Sequence, residues 1–569
     1  MSELRGALAA ARPAFTGVAA LSASINVLAL TASFYLMLVY DRVLPGRSLP
    51  SLFSLLVMVL VAYAFYGMCD VLRSHLLAGI GVRLDRTMSL RIQRIELKLA
   101  LTRPALLSKS SPLSDLDQIR GFLSGPGPSA LIDLPWIVFF LAVLAIIHPW
   151  LAIVTAVGVV VLTGLTVVAE RITSGRVATL LVAGLDRRRM NDGHRRHVET
   201  IEGLGMRERL IARWSVANRR FLAAQLDLLE RTATLAGVSK VVRMVLQSAV
   251  LTTGALLVID GKASAGIIFA SSILSGRALA PVDQAIGNWR GFVGARQSWA
   301  RLARLLEDHP AEQPRRVELP FGKHSLTVRR LALVPPESSG LAIADVEFSA
   351  KAGDAIGIIG PSASGKSSLL RGICGIWPAV RGDVRIDGAK LTDWDHESLG
   401  EMIGYLPQSV ELMAGSVADN IARFAPNADS TRTLGAANAA GIHEMILHLP
   451  LGYETPVGDN GVHLSAGQRQ LIGLARAFYG DPFIVALDEP NSNLDRAGEA
   501  ALARAILAAR ARGAIVLVVA HRMSVLDAVN RVLVMQDGRV EASGARDEVL
   551  AQTQPRAPEP WPAPSMSAA

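Results

Sequence analysis

Six long apolar runs occupy the first half of the chain. They hold about 15–27 residues each, and about 20 helical residues cross a hydrocarbon core of roughly 30 Å. A soluble buried helix would explain any single run, but six in series predict an α-helical transmembrane domain with about six spans. The last run is the weakest, because Ser271, Ser272, Ser275 and Arg277 interrupt it. The runs cover residues 14–40, 52–68, 130–147, 151–169, 241–259 and 265–279.

The segments between the runs alternate in length and charge. Residues 41–49, 148–150 and 260–264 are short, whereas residues 70–129 and 170–240 are long and rich in arginine. The positive-inside rule places the long segments and both termini in the cytoplasm. Their apolar residues recur at helical spacing, so we expect them to extend the membrane helices. Nucleic-acid binding is the competing interpretation of the arginine clusters, but no aromatic platform or recognition module accompanies them.

The second half alternates strand-like and helix-like runs, which predicts an α/β nucleotide-binding domain. We predict a membrane domain over residues 1–310, a linker over 311–325, the α/β domain over 326–550 and a disordered tail over 551–569. The tail is rich in Pro, Ala and Ser, a composition that cannot bury enough apolar surface to fold.

Composition agrees with a membrane protein of more than one domain. The chain has 569 residues, 51% of them hydrophobic and 19% charged, with a net charge of +9. Charged residues make up about 25% of ordinary soluble domains. The two cysteines, Cys69 and Cys374, suggest neither a disulfide nor a metal site. No small-residue cleavage site follows a short apolar core, so no removable signal peptide is expected.

A glycine-rich loop carries the first chemical signal. It fits the pattern G-x-x-x-x-G-K-[ST], follows an apolar strand at 355–359 and opens a helix. Such a loop directs backbone N–H groups and a helix N-terminus at a phosphate. Lys366 would reach the β and γ phosphates of ATP, and the Ser367 hydroxyl would bind Mg²⁺. The predicted nucleotide-binding residues are Gly360, Pro361, Ser362, Ala363, Ser364, Gly365, Lys366, Ser367 and Ser368.

Two further apolar strands, 483–487 and 515–519, end in polar residues. Ligands bind outside the carboxyl ends of strands in open parallel sheets, so Asp488, Glu489 and His521 should converge on the loop. Asp488 would hold Mg²⁺, and Glu489 would deprotonate the attacking water. His521 would contact the γ phosphate, with a capping histidine as the alternative. Gln408 would join the metal, the water and a moving subdomain, although alone it would be an ordinary turn residue.

A second helix N-terminus follows at Leu464-Ser465-Ala466-Gly467-Gln468-Arg469-Gln470. Ser465, Gly467 and Gln468 would bind a second anion there, unless Ser465 is a plain helix cap. One chain rarely needs two phosphate sites. A head-to-tail homodimer would use both, with each ATP held between the loop of one subunit and this segment of the other.

These motifs, in this order and spacing, resemble those of the ATP-binding cassette (ABC) ATPases. The loop is similar to their Walker A motif, Gln408 to the Q-loop, 464–468 to the signature, Asp488-Glu489 to Walker B, 492–495 to the D-loop and His521 to the H-loop. A membrane domain followed by a cassette resembles a half-size exporter.

A narrower resemblance is to the ATPase/permeases of type I protein secretion systems. It rests on residues 39–45, 115–120, 133–136 and 488–495. It implies export of an unfolded polypeptide from the inner membrane of a Gram-negative cell, with a periplasmic adaptor and an outer-membrane channel as partners. It implies no role for nucleic acid.

The chain departs from the family pattern at several points. Ala466 replaces the usual first glycine of the signature, and no aromatic for adenine stacking is found over residues 331–336. Asp459 stands where relatives often have Glu. No peptidase-like domain is expected before the first span. Two alternatives remain: an exporter of lipid, peptide or small molecule, and a membrane-anchored ATPase that acts as a sensor or scaffold.

Overall fold

The computed structural model describes residues 3–109, 111–310, 319–458, 464–520 and 522–553. They form two compact units, Met1–Ala311 and Glu312–Ala569.

The described part of the first unit is helical. A π-helical turn, Val39–Val43, interrupts the first apolar run between α3 and α4. The helices are α1 Glu3–Ala9, α2 Arg12–Leu28, α3 Thr31–Leu38, α4 Leu44–Gly46, α5 Leu49–Thr102, α6 Pro104–Lys109, α7 Pro112–Leu123, α8 Gly127–Asp133, α9 Trp136–Ile147, α10 Pro149–Arg196, α11 Val198–Gly203, α12 Arg207–Ile259 and α13 Ala265–Asp308.

Within the described residues, five helical segments are long and apolar enough to cross a membrane. A sixth is added if α8 and α9, bent by 42° about their short break, count as one span. Pro135 lies in that break, and proline removes a backbone hydrogen bond from a helix interior. The predicted run 130–147 is therefore two helices at an angle rather than one straight span.

The long basic segments continue the membrane helices, as predicted. Helix α5 has 54 residues, α10 has 48 and α12 has 53. At 1.5 Å per residue each is more than twice as long as a hydrocarbon core of roughly 30 Å. Large apolar side chains on the spans are exposed, for example Val160 and Ile146, as lipid-facing residues would be. Helix α10 packs along α12, α2 packs against α5, and α13 contacts α7, α9, α10 and α12.

The second unit is an α/β domain with two main sheets. A four-stranded antiparallel sheet has the order β2-β1-β4-β5, and a six-stranded sheet has the order β12-β11-β3-β10-β9-β6. The strands are β1 Ser325–Leu333, β2 Ile343–Lys351, β3 Ala355–Ile359, β4 Arg381–Ile386, β5 Ala389–Lys390, β6 Ile403–Leu406, β7 Gly415–Ser416, β8 Pro456–Val457, β9 Ile484–Asp488, β10 Ile515–Val519, β11 Arg531–Gln536 and β12 Arg539–Ala545.

Helices cover the six-stranded sheet, and the loops that join them to the strands lie at its edge. Short 3-10 turns lie at Leu391–Asp393, Gly452–Glu454 and Met523–Ala528. The helices are α14 Lys366–Ile373, α15 His396–Met402, α16 Val417–Ile421, α17 Ser430–Ala439, α18 His443–Leu447, α19 Ala466–Phe478, α20 Arg496–Ala511 and α21 Arg546–Thr553.

Three buried strands bring the predicted chemistry to one edge of this sheet. β10 pairs in parallel with β3 on one side and with β9 on the other. Val519 is level with both Ile358 and Asp488, so the carboxyl ends of the three strands are aligned. β9 ends at Asp488, one residue beyond the predicted apolar run. This register places the glycine-rich loop beside Asp488 and Glu489.

The boundaries of the second unit differ slightly from prediction. β1 begins at Ser325, inside the predicted linker, and α21 ends at Thr553, inside the predicted tail. Residues 311–318 of the linker and 554–569 of the tail lie outside the described residues.

Candidate active site

The glycine-rich loop joins β3 to α14 in a conformation that two of its glycines permit. Gly360 has φ 148°, and a Cβ there would lie 2.1 Å from the Met535 carbonyl oxygen. Gly365 has φ 97° and precedes α14 without any side-chain cap. The first N–H groups of α14 therefore keep their hydrogen-bonding capacity for an anion, which the helix dipole also favours.

Lys366 and Ser364 lie inside the loop, as a phosphate site requires. Lys366 Nζ donates hydrogen bonds to Gly360 O at 2.9 Å and Pro361 O at 2.7 Å. Burial lowers the pKa of Lys366, and the neighbouring Glu489 and Asp488 carboxylates oppose that change. The Ser364 hydroxyl is buried and has no hydrogen-bond partner. Because unsatisfied buried polar groups are costly, a phosphate oxygen would suit this position. Ser362 and Ala363 are exposed at the tip of the loop.

Ser367 and Asp488 meet at the start of α14 and the end of β9. The Ser367 hydroxyl donates to Asp488 Oδ1 at 2.9 Å. Asp488 is 1% exposed, and its Oδ2 is buried with no hydrogen-bond partner. Burial raises the pKa of Asp488 above its usual value, whereas the Ser367 hydrogen bond lowers it. A buried carboxylate oxygen without a partner is the group that a cation would satisfy.

The donor set here fits Mg²⁺. The ion prefers hard oxygen ligands, and proteins bind it through one or two carboxylates together with substrate phosphates. Ser367 and Asp488 supply such oxygens. Across the described residues, no cluster of three or more His, Cys, Asp or Glu side chains is placed to hold a metal. Two protein oxygens of this kind are what a metal shared with substrate phosphates would use.

Glu489 and Gln408 lie at the ends of neighbouring strands. β6 pairs in parallel with β9, with Leu406 level with Leu487. Gln408 Nε2 donates to Glu489 Oε1 at 3.0 Å, so the two side chains meet. Glu489 has φ 50°, a left-handed conformation that a side chain seldom adopts and that is common at active sites. His521 lies outside the described residues, and its role stays a prediction.

The predicted second anion site is the N-terminus of α19. Ser465 Oγ accepts from Gln468 N at 3.2 Å, and Gln468 Oε1 accepts from Ser465 N at 2.9 Å, a capping box. Ser465 thus has the plainer of its two predicted roles within this chain. Anion binding by Ser465, Gly467 and Gln468 in a second copy stays a prediction. Asp459 and the residues up to 463 lie outside the described residues.

Two buried amides beside this site receive no functional role from the sequence. Gln470 is 4% exposed and bonds to the segment that follows β9. Asn491 is 3% exposed, and its Nδ2 has no hydrogen-bond partner. A polar residue within an apolar helix face was the available clue for Gln470, but the partner became visible only in the fold.

Each motif acid of the membrane domain binds a helix other than its own. Asp133 at the end of α8 accepts from Ser22 Oγ at 2.7 Å, Asn26 Nδ2 at 3.0 Å and Arg73 at 3.0 Å. Arg73 also pairs with Asp70. This buried group ties α8 to α2 and α5. Paired charges of this kind are the form in which ionisable residues occur inside membrane domains.

Asp115, on α7, is tied to α13 in the same way. It is 6% exposed and accepts from Ser298 Oγ at 2.8 Å and Arg301 Nε at 3.0 Å. Gln118, one turn later, accepts from the same Ser298 hydroxyl at 2.9 Å. A Cβ on Gly294 would lie 2.2 Å from Gln118 Nε2, so a side chain there would require the Gln118 amide to move.

Asp41 lies in the π-helical turn and caps α13. Its carboxylate accepts from Gly266 N at 2.8 Å and from Ser264 Oγ at 2.6 Å. Tyr40 stacks on Phe269 one turn further along α13, with ring centroids 4.3 Å apart. The motif 39–45 therefore joins the end of the first span to the start of the last.

Comparison with known proteins assigns both halves. Residues 343–492 match the ABC transporter family, and residues 16–281 match the ABC transporter transmembrane region. The type I secretion system ATP-binding protein PrsD of Rhizobium meliloti is 49% identical over 96% of this chain and 94% of its own length. The cyclolysin secretion/processing ATP-binding protein CyaB of Bordetella pertussis is 30% identical over 93% of this chain and 75% of its own length.

A solved structure agrees on the fold. The ATP-bound structure of a bacterial Atm1-family ABC exporter superposes with a TM-score of 0.82, covering 95% of this chain and 96% of its own, at 21% identity. The predicted fold class, a helical membrane domain followed by an ATP-binding cassette, is confirmed. The chain belongs to the ABC transporters and is a half-size, multi-pass membrane ATPase of the type I secretion group.

Proposed function

We propose that this ATPase exports an unfolded polypeptide across the bacterial inner membrane. The observation that carries the proposal is the extent of the similarity to PrsD, which runs through 96% of the chain. It includes the membrane domain, where Asp41, Asp115 and Asp133 each bind another helix. An ATPase core alone is common to all ABC transporters, so the membrane domain has to carry the choice of cargo class.

The chemistry at the strand ends follows from the geometry. Lys366 and the first turn of α14 would hold the ATP phosphates, with Ser364 donating to one of their oxygens. Ser367 and Asp488 would hold Mg²⁺, joined by Gln408. When bound, the ion would neutralise charge that develops on the phosphates. Gln408 would hold the Glu489 carboxylate in place. Glu489 would orient and deprotonate the attacking water. His521 would contact the γ phosphate.

A homodimer would complete this site. Ser465 and Ala466 are exposed and Gly467 and Gln468 are partly exposed, while the Walker A loop of the same chain already has one helix N-terminus for its phosphates. Ser465, Gly467 and Gln468 of a second copy would cover the nucleotide from its other side. Closure of two such sites on binding ATP would transmit force to the paired membrane domains.

The proposed partners are a periplasmic adaptor, an outer-membrane channel and the secreted polypeptide. CyaB and the toxin RTX-I translocation ATP-binding protein of Actinobacillus pleuropneumoniae are named for the toxins they secrete. We extend only the class of cargo, a polypeptide, to this chain.

Comparison of secreted proteins would test the proposal. Cells that lack the chain are complemented with the wild type, with Glu489→Gln, or with Glu541→Gln as a control. Glu541 is exposed on β12, the far edge strand of the sheet. We expect one or more polypeptides to reach the medium with the wild type and the control, and none of them with Glu489→Gln.

An unchanged set of secreted proteins, together with altered lipid or small-molecule export, would overturn the proposal in favour of the alternative exporter. Normal export by Glu489→Gln would overturn the role of the ATPase site.

A further inference from the structure

Gln470 connects two segments that the proposed dimer uses at different nucleotides. It lies in α19, one turn after the signature residues, and is 4% exposed. Its Nε2 donates to Pro490 O at 2.6 Å, with Glu489 O and Ser492 Oγ each at 3.2 Å. Its Oε1 accepts from Asn493 N at 3.0 Å. One side chain thus binds four of the five positions from 489 to 493, in the turn after β9.

The turn that Gln470 holds carries the proposed general base. Glu489 begins it in the left-handed conformation, with φ 50°. Such a backbone conformation is strained and persists only where its surroundings fix it. Glu489 N donates to Val519 O at 3.2 Å, and Gln470 Nε2 donates to the carbonyl oxygen of Glu489. Gln470 therefore contributes to holding the residue whose carboxylate must face the water.

A second contact joins the same two segments independently. A Cβ on Gly467 would lie 3.0 Å from the Asn493 carbonyl oxygen. The signature turn thus packs on the backbone of residues 492–495, and that packing leaves little space for a side chain. The hydrogen bonds of Gln470 and the close approach at Gly467 both set the distance between the signature turn and residues 492–495.

We propose that Gln470 is a positioning residue that couples the two composite ATP sites of the dimer. It fixes Glu489, which would act on this chain's nucleotide, relative to Ser465 and Gly467, which would act on the partner's nucleotide. The proposal rests on the homodimer proposed above. A displacement of Glu489 at this chain's nucleotide then moves α19, the helix that would close on the partner's nucleotide.

Kinetics of the full-length protein would separate positioning from folding. Gln470→Met keeps the side-chain volume but removes every hydrogen bond, and Gln470→Glu keeps the acceptor for Asn493 N but loses the amide donor. Asn420→Leu is the matched control. Asn420 is also a fully buried amide, and its three bonds go only to Met413 and Ser416.

We expect both Gln470 variants to lower kcat by about tenfold or more, as supporting-residue changes commonly do. ATP affinity should change by less than about twofold, because the hydrogen bonds of Gln470 go to residues 489–493 and not to the phosphate loop. Asn420→Leu should lower the unfolding midpoint with little change in kcat. An equal loss of kcat in Asn420→Leu, or a normal kcat in Gln470→Met, would overturn the proposal.

A mixed dimer tests the coupling itself. Two differently tagged chains, one wild type and one Gln470→Met, are purified together and trapped with vanadate and 8-azido-ATP. Photolabel on each chain then reports the site formed by that chain's phosphate loop. A mixed dimer with Lys366→Ala on one chain is the reference. It measures how much label the wild-type chain loses when only the other chain's phosphate loop is changed.

We expect both chains of the Gln470→Met dimer to lose label by about tenfold, and the untouched chain to lose clearly more than in the Lys366→Ala dimer. Loss on the variant chain alone would confine Gln470 to its own Glu489, and loss on the wild-type chain alone would confine it to the signature. Either result overturns the coupling while leaving the homodimer intact. Failure of the two tagged chains to purify together would instead overturn the homodimer, and the coupling with it.

Discussion

Ser367 Oγ donates a hydrogen bond to Asp488 Oδ1 across 2.9 Å and so joins the first turn of α14 to the end of β9. The second carboxylate oxygen is buried without a partner. The two residues are 121 positions apart in the chain. Their contact is the geometric basis for the proposed Mg²⁺ site.

Ser367→Ala should raise the Mg²⁺ concentration needed for half-maximal ATPase activity. The variant loses one ligand and the hydrogen bond that orients Asp488, and changes of this kind typically cost about 10–100-fold in metal affinity. Titration of ATPase rate against free Mg²⁺ at saturating ATP measures the shift. Ser543→Ala, at an exposed position of β12, is the control. An unchanged Mg²⁺ midpoint would contradict the assignment of Ser367.

Glu489→Gln should bind ATP with near-normal affinity but lose turnover by at least about a hundredfold. The amide keeps the shape of the side chain and its contact with Gln408, but it cannot accept a proton from water. Equilibrium ATP binding and steady-state hydrolysis, measured on the same preparation, separate the two effects. Gln408→Ala should lose less activity, because the base remains. Wild-type hydrolysis by Glu489→Gln would refute the role of this carboxylate.

Local pattern is sufficient to predict which strand ends meet, because parallel topology aligns them. The runs at 355–359, 483–487 and 515–519 form three strands, and the register confirms that β10 lies between β3 and β9. The roles of the residues that follow these strands stay predictions, and His521 lies outside the described residues. The same reasoning could not find Gln470. Its partners lie some twenty positions away, and a buried glutamine has no periodic signal.

The membrane domain was harder to predict in detail than in outline. Apolar length alone predicts spans but marks neither the π-helical turn at 39–43 nor the bend between α8 and α9, where Pro135 breaks the helix. Asp41, Asp115 and Asp133 were recognised as parts of motifs without an account of their roles. The fold supplies one: Asp41 and Asp115 accept hydrogen bonds from α13, and Asp133 accepts them from α2 and α5.

Asp387→Asn should remove part of the pH dependence of stability. Burial raises the pKa of Asp387, but hydrogen bonds from the backbone N–H groups of Lys323, Ser325 and His324 outweigh it, and the pKa is lowered. A lowered pKa means that this stability is present above the unfolded value, about 3.9, and is lost as pH falls through the folded value. Unfolding midpoints of both proteins should differ at pH 7 and converge in acid. A gap that widened on acidification would contradict this.

Asp41→Ala should destabilise the membrane domain by about 1–2 kcal/mol, because α13 loses the carboxylate that caps its first turn. Ser264, the residue before α13, makes no side-chain cap of its own. The stability of Asp41→Asn should fall between those of the wild type and Asp41→Ala. Asparagine keeps an acceptor for Gly266 N but lacks the charge that favours a helix N-terminus. Thermal unfolding of the full chain in detergent gives the ranking. Asp260→Ala is the matched control: Asp260 lies in the loop before α13, in an exposed pair with Lys262 that should contribute little. Equal midpoints for the Asp41 and Asp260 variants would show that the contact with α13 does not stabilise the fold.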